Sequence, residues 1–138
     1  VTPLQIAQAF VDRINHQDAD GLAELMTEDH RFIDSLGQIM TGRETIRQGW
    51  KYYFAMVPDY ALAPDSWLSD ESVIVMLGTA GGTYSPDGVR SPDRNWSCPA
   101  ACRALIRGTL VAEWQVYADN EPIRQLMKAH SGSGPADG

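Results

Sequence analysis

The residues most able to do chemistry lie in the first third of the chain. His30-Arg31-Phe32-Ile33-Asp34 alternates polar and apolar types. In an extended segment this places His30, Phe32 and Asp34 on one face and Arg31 and Ile33 on the other. Asp34 is the leading candidate. A carboxylate in an apolar pocket holds its proton more readily than in water and exchanges it near neutrality, as a general base must. The competing reading is a turn carboxylate that accepts backbone N–H groups of Ser35 to Gly37. His30 is a candidate acid/base partner for Asp34. They are four positions apart on a strand, so direct contact needs a bend, and a surface histidine at a strand start is the alternative.

Further candidates sit on a helix and beside a loop. Trp50 and Tyr53 share one face of the third predicted helix, which starts at Thr41 or Gly42. Tyr53 can donate a hydrogen bond to a substrate oxygen, although core packing with its hydroxyl satisfied at the surface is the favoured reading, and Trp50 lines a pocket or the core. Tyr84 and Trp96 bracket residues 85–95, a stretch with two Ser-Pro pairs that reads as an exposed loop. That loop is long enough for a lid over a pocket mouth, with Arg90 and Arg94 available to an anionic group. The bland alternative is two aromatic anchors for an ordinary hairpin. Asp119 and Asn120 suit local capping or the rim of a cavity.

Other chemistries are not expected. No His, Cys or carboxylate cluster has metal-ligand spacing, so neither a metal nor a cofactor is anticipated. Cys98 and Cys102 would lie about 13 Å apart in one strand, too far for a disulfide. Gly78, Gly81 and Gly82 match no phosphate-binding pattern. A formal charge of -7, from 18 acidic and 11 basic residues without a basic run, excludes nucleic acid as an expected partner. No apolar run is long enough for a membrane span and no leader pattern is visible, which makes cytoplasm the expected location.

These residues need elements to hold them. The chain has 138 residues, 43% of them hydrophobic, enough for one domain over residues 1–130 with a real core. Thr2-Pro3 opens a helix over 3–16, and Asp18 or Asp20 caps a second helix with Leu22, Leu25 and Met26 on its apolar face. A short strand at 30–34, a return strand at 38–40 and a third helix ended by Pro58 follow. Strands are expected at 60–67, interrupted by Pro64, at 72–79 with a bend at Gly81-Gly82, at 96–106 with Pro99 at an edge or bulge, and at 110–117. A short element at 123–127 precedes a Gly/Ser-rich tail at 131–138. The fold class is therefore α+β, a mostly antiparallel sheet curled around three N-terminal helices with an apolar cavity between them.

This order resembles the SnoaL-like branch of the nuclear transport factor 2-like superfamily. The resemblance rests on residues 15–25 (NHQDADGLAEL), Phe32-Ile33-Asp34, residues 42–46 (GRETI), and Gly108 followed by residues 114–119 (WQVYAD). It implies a cone-shaped α+β barrel, commonly a homodimer, around a pocket for a small, largely apolar molecule. Relatives include steroid isomerases, epoxide hydrolases, polyketide cyclases, dehydratases and plain binding proteins. Asp34 falls where steroid isomerases place their general base. Phe10 falls where they carry an oxyanion-hole tyrosine, and no acid lies near Ala100 to Cys102, where their second acid belongs. Loss of even one such donor costs a few kcal/mol of transition-state stabilisation, so steroid isomerisation as such is excluded. The strand VIVMLGTAGG lacks the Arg and Asp of limonene-type epoxide hydrolases, and Val116 stands where those enzymes and aldol-type cyclases carry an acid.

Two registers of the last strand remain. Anchoring on Trp114, with one extra residue after Gly108, turns Trp114 and Val116 toward the cavity. Otherwise Glu113, Gln115 and Tyr117 face it, and Glu113 opposes Asp34. A large Trp is the better filler for an apolar wall. The expected function is a cofactor-independent acid/base enzyme of isomerase, dehydratase, cyclase or hydrolase type, with a non-catalytic binding protein as the alternative.

Overall fold

The computed structural model describes residues 1–130 of the chain; the tail expected at 131–138 lies outside them. The first helix, α1 (Pro3–Asn15), begins with a reciprocal cap. The Thr2 hydroxyl accepts from Gln5 N at 3.1 Å and the Gln5 side chain accepts from Thr2 N at 2.9 Å, so two otherwise orphaned donors are satisfied. Ile6, Ala7, Phe10, Val11 and Ile14 form its buried stripe. Asp18 caps α2 (Ala19–Glu24), accepting from Gly21 N at 2.9 Å. Met26 is not on that helix. It opens β1 (Met26–Ile33), a strand longer than the alternation at 30–34 suggested, and Asp34 stands one residue past its end.

A tight turn leads into β2 (Ile39–Thr41), and Gly42, at φ 108°, starts α3 (Arg43–Met56). The chain then enters β3 (Ala61–Asp70), β4 (Val73–Thr83), β5 (Asn95–Arg107), β6 (Leu110–Ala118) and α4 (Glu121–His130). The strands form one sheet in the order β2-β1-β6-β5-β4-β3, antiparallel except for β1 beside β6. One face, carrying Ile74, Met76, Cys102, Ala104 and Trp114, joins the apolar side of the helices in a single buried cluster.

Three details of the sheet position the site. The irregularity expected at Gly81-Gly82 lies instead in β3, between Pro64 and Ser66. The two glycines continue the β4 ladder, and Gly82 serves close approach. A Cβ there would meet Val57 Cγ1 at 2.5 Å and Tyr60 Cα at 3.2 Å, so only glycine lets the turn after α3 sit flat on β4. Pro99 pairs with Thr79 just beyond the last β6 pairing, Ala100 with Ala118, so its missing N–H leaves no β6 bond unmade. Finally, Leu105 pairs with Glu113 but Ile106 pairs with Val111, leaving Ala112 as an extra residue in β6. That bulge supplies the insertion required by the Trp114 register.

Candidate active site

The bulge decides which side chains of β6 face the helices. Trp114 is 1% exposed and lies against Phe10, ring centroids 4.7 Å apart, while Val116 lines a cavity of about 250 Å³. Glu113 points to the opposite face. It accepts from Arg103 at 2.6 Å and pairs with Arg31 at 3.2 Å. The alternative register, with Glu113 opposing Asp34, is thereby corrected.

The cavity is bounded by the end of β1 and its turn (Phe32, Asp34, Ser35), by Met40, by α3 (Ile46, Gly49, Trp50, Tyr53), by Tyr60, and by Val116 and Asn120. Most of this wall is apolar or aromatic. Its polar groups fall into two sets. One is Asp34, Ser35 and Asn120, where Asn120 Nδ2 donates to Ser35 Oγ at 2.7 Å. The other is the hydroxyls of Tyr53 and Tyr60, whose rings meet edge to face at 5.0 Å and 88°. Among the described residues neither hydroxyl is engaged in a hydrogen bond. Burial raises both phenols well above the ordinary tyrosine range, so each remains an O–H donor at neutral pH.

Asp34 fulfils the turn reading and still reaches the cavity. Its Oδ1 accepts from Leu36 N and Gln38 N, each at 2.9 Å, and Gly37 closes the turn at φ 83°. Oδ2 makes no hydrogen bond among the described residues. The turn therefore holds the carboxylate in one orientation with one oxygen available.

Tyr60 owes its place to contacts distant in sequence. Gln17 Nε2 donates to Tyr60 O at 2.6 Å. Asp59 accepts from Thr83 N and Thr83 Oγ1, both at 2.7 Å, fixing the turn that follows α3. Asn15 pairs with both backbone groups of Leu62 at 2.8 and 3.0 Å, holding the next residues against α1.

The remaining sequence candidates lie elsewhere. Phe10 is wholly buried against Trp114 and His30, so both aromatics are core rather than ligand contacts. His30 is neither at the surface nor beside Asp34 in the cavity wall. It is fully buried, and its Nδ1–H donates to Val111 O at 2.7 Å, which leaves Nε2 unprotonated and without a partner. Burial pushes its pKa below the ordinary 6.5. Trp96 sits behind Tyr60, ring centroids 6.1 Å apart, and Tyr84 is buried; neither lines the cavity. The loop between them is tied to the end of α3 by Ser85 N donating to Met56 O at 2.7 Å, and it supplies none of the lining residues. The pocket mouth expected there is corrected: the lining comes from the β1–β2 side. Cys98 and Cys102 are free, buried thiols.

Sequence comparison decides the family. Residues 7–114 match the SnoaL-like domain. The chain belongs to that family. No curated protein matches the sequence significantly. Solved structures share the fold of this SnoaL-like chain. A hypothetical protein of ketosteroid isomerase-like fold from Catenulispora acidiphila, in complex with trimethylamine, is 23% identical, with a TM-score of 0.76 over 100% of this chain and 98% of its own. A protein provisionally named a SnoaL-like polyketide cyclase, from Shewanella putrefaciens, is 17% identical, with a TM-score of 0.78 over 93% of this chain and 86% of its own. AclR of Streptomyces galilaeus, provisionally named a hydroxylase, is 14% identical, with a TM-score of 0.73 over 96% and 83% of the two chains.

Proposed function

We propose that this SnoaL-like protein is a cofactor-independent acid/base enzyme acting on a small, largely apolar oxygenated molecule. The observation that carries the reading is the oriented carboxylate of Asp34, with one oxygen uncommitted, in the same cavity as two unengaged phenol donors. Asp34 Oδ2 would accept a proton from carbon next to a carbonyl. The Tyr53 O–H, assisted by Tyr60, would donate to the oxygen on which negative charge develops. Asp34 would then return the proton to a neighbouring atom. Positioned general bases contribute roughly 10²–10⁴-fold, and an oxyanion donor in a water-poor site a comparable factor. The aromatic wall would exclude water and hold the apolar part of the substrate. The Catenulispora acidiphila protein of the same fold was solved in complex with a small molecule, trimethylamine, which is in keeping with a small-molecule ligand here.

A non-catalytic binding protein is the second reading. Its support is the missing chemistry: Phe10 has no hydroxyl, no second carboxylate lines the cavity, and half of Asp34 is committed to a turn. Deuterium exchange separates the two. Small enolisable ketones are incubated with the protein in D₂O and followed by NMR. Exchange that Asp34→Asn abolishes supports the enzyme; ligands that bind without exchange support the carrier.

We also propose a homodimer through the sheet face opposite the helices. Leu68, Leu77 and Tyr117 are exposed there, and strand pairing aligns them with Val75 and Ala101. Sedimentation would give a single species of one chain if this face stays wet. The charge of -7 supports the expectation that nucleic acid is not a partner. No helix among the described residues is long and apolar enough to cross a membrane.

A further inference from the structure

We propose that the cavity is selective for a small organic cation, an alkylated ammonium group held among the rings of Phe32, Trp50, Tyr53 and Tyr60 with Asp34 as its counter-ion. The inference rests on the preceding reading that this cavity is the ligand site, and adds the ligand's charge. It fits the carrier reading directly; under the enzyme reading the same carboxylate would face the cation and take the proton of a C–H group beside it.

Phe32 and Trp50 meet at 78° with centroids 5.8 Å apart, and Tyr53 and Tyr60 at 88° and 5.0 Å. Trp50 and Tyr60 join the two pairs at 6.5 Å. Aromatic faces carry negative potential and attract a cation within about 6 Å of the centroid. The rings pack edge to face on one another, so a ligand lies beside the cluster and not between its members, and all four residues line the cavity, where a cation would meet several aromatic side chains at once.

The charge of the lining also favours a cation. The lining contains no Lys, Arg or His, and Asp34 is its one carboxylate. The nearest arginine of β1, Arg31, is turned to the other face of the sheet and paired with Glu113. Asp34 Oδ2 is the uncommitted oxygen, and Asn120, held to Ser35 through its Nδ2, lines the same cavity. An alkylated ammonium has few or no N–H groups, so it needs little more than this from its surroundings. The chain's net charge of -7 adds long-range attraction for cations. The volume of about 250 Å³ lies below the usual range for drug-sized ligands and suits a compact group.

The test uses two probes of one shape. Choline carries a quaternary nitrogen where 3,3-dimethyl-1-butanol carries carbon. Binding of each to the full chain is measured by calorimetry and by ligand-observed NMR at low salt. Choline is expected to bind at least about tenfold more tightly, equivalent to about 1.4 kcal/mol. Asp34→Asn, which can keep the turn bonds through its carbonyl, should reduce that preference several-fold. Trp50→Leu should do the same if circular dichroism shows it folded. Equal or tighter binding of the neutral alcohol overturns the cation assignment and leaves the small apolar ligand standing. Binding of neither probe at millimolar concentration overturns both. A preference for choline that Asp34→Asn leaves intact refutes the counter-ion role.

Discussion

Asp34 holds a turn and faces a cavity with the same carboxylate, and two substitutions separate those tasks. Asp34→Asn retains a carbonyl oxygen for Leu36 N and Gln38 N but replaces the free oxygen with an amide. Asp34→Ala removes both. Each bond is to a half-exposed carboxylate, so the net worth of each is about 0.5–1.5 kcal/mol and the pair about 1–3 kcal/mol. For a domain of this size 1 kcal/mol moves Tm by roughly 3–5 °C. Asp34→Ala should therefore unfold several degrees below wild type, and Asp34→Asn within a few degrees of it. Proton exchange should fall about 10²–10⁴-fold in both variants. Thermal unfolding by circular dichroism gives the first comparison and deuterium exchange the second. If Asn and Ala unfold together at the wild-type temperature, the turn bonds carry no weight. If Asn retains exchange, the carboxylate is not the base.

Other outcomes follow from the same packing. Tyr53→Phe should leave the fold intact and slow proton exchange by about 10–10³-fold, read as a drop in kcat rather than a rise in KM. His30 should make stability pH-dependent in one direction. Its folded-state pKa is depressed, so the unfolded chain takes up the proton first, and stability should fall as pH drops below about 6.5; urea unfolding from pH 7 to pH 5 should show this in wild type and lose that component in His30→Phe. Burial pushes the Cys102 thiol up to about 12 and raises Cys98 as well. At pH 8 a thiol reagent should label neither in the native protein and both in urea, and prompt native labelling of Cys102 would contradict its burial.

What the sequence made legible was local. The Thr2-Pro3 start, the Asp18 cap and the run VIVML each contain their own instruction, through capping geometry or period-two burial. Asp34 was legible for the same reason, as one acid at the end of an alternating segment before a glycine turn. Tyr60 was not, because its position depends on Gln17, Asp59 and Thr83, up to 43 residues away. Asn120 was ambiguous until its bond to Ser35 placed it on the wall. Residue type also cannot divide core from cavity. Phe10 and Trp114 seal the interior, while Phe32 and Trp50 line the cavity, and nothing in their chemistry separates the pairs. The orientation of β6 depended on a single extra residue, Ala112, which strict alternation cannot reveal.

The one parallel pairing, β1 with β6, has a consequence for how the protein is made. The contacts that bring Asn120 to Ser35 and Val111 to His30 span 85 and 81 residues of chain. Closing so long a loop is slow and comes late in folding. A growing chain can form its helices and the β3–β4 hairpin, yet no compartment exists until the final strand slots in beside the first. The site is then the last thing the molecule acquires and the first it would lose if that seam frayed.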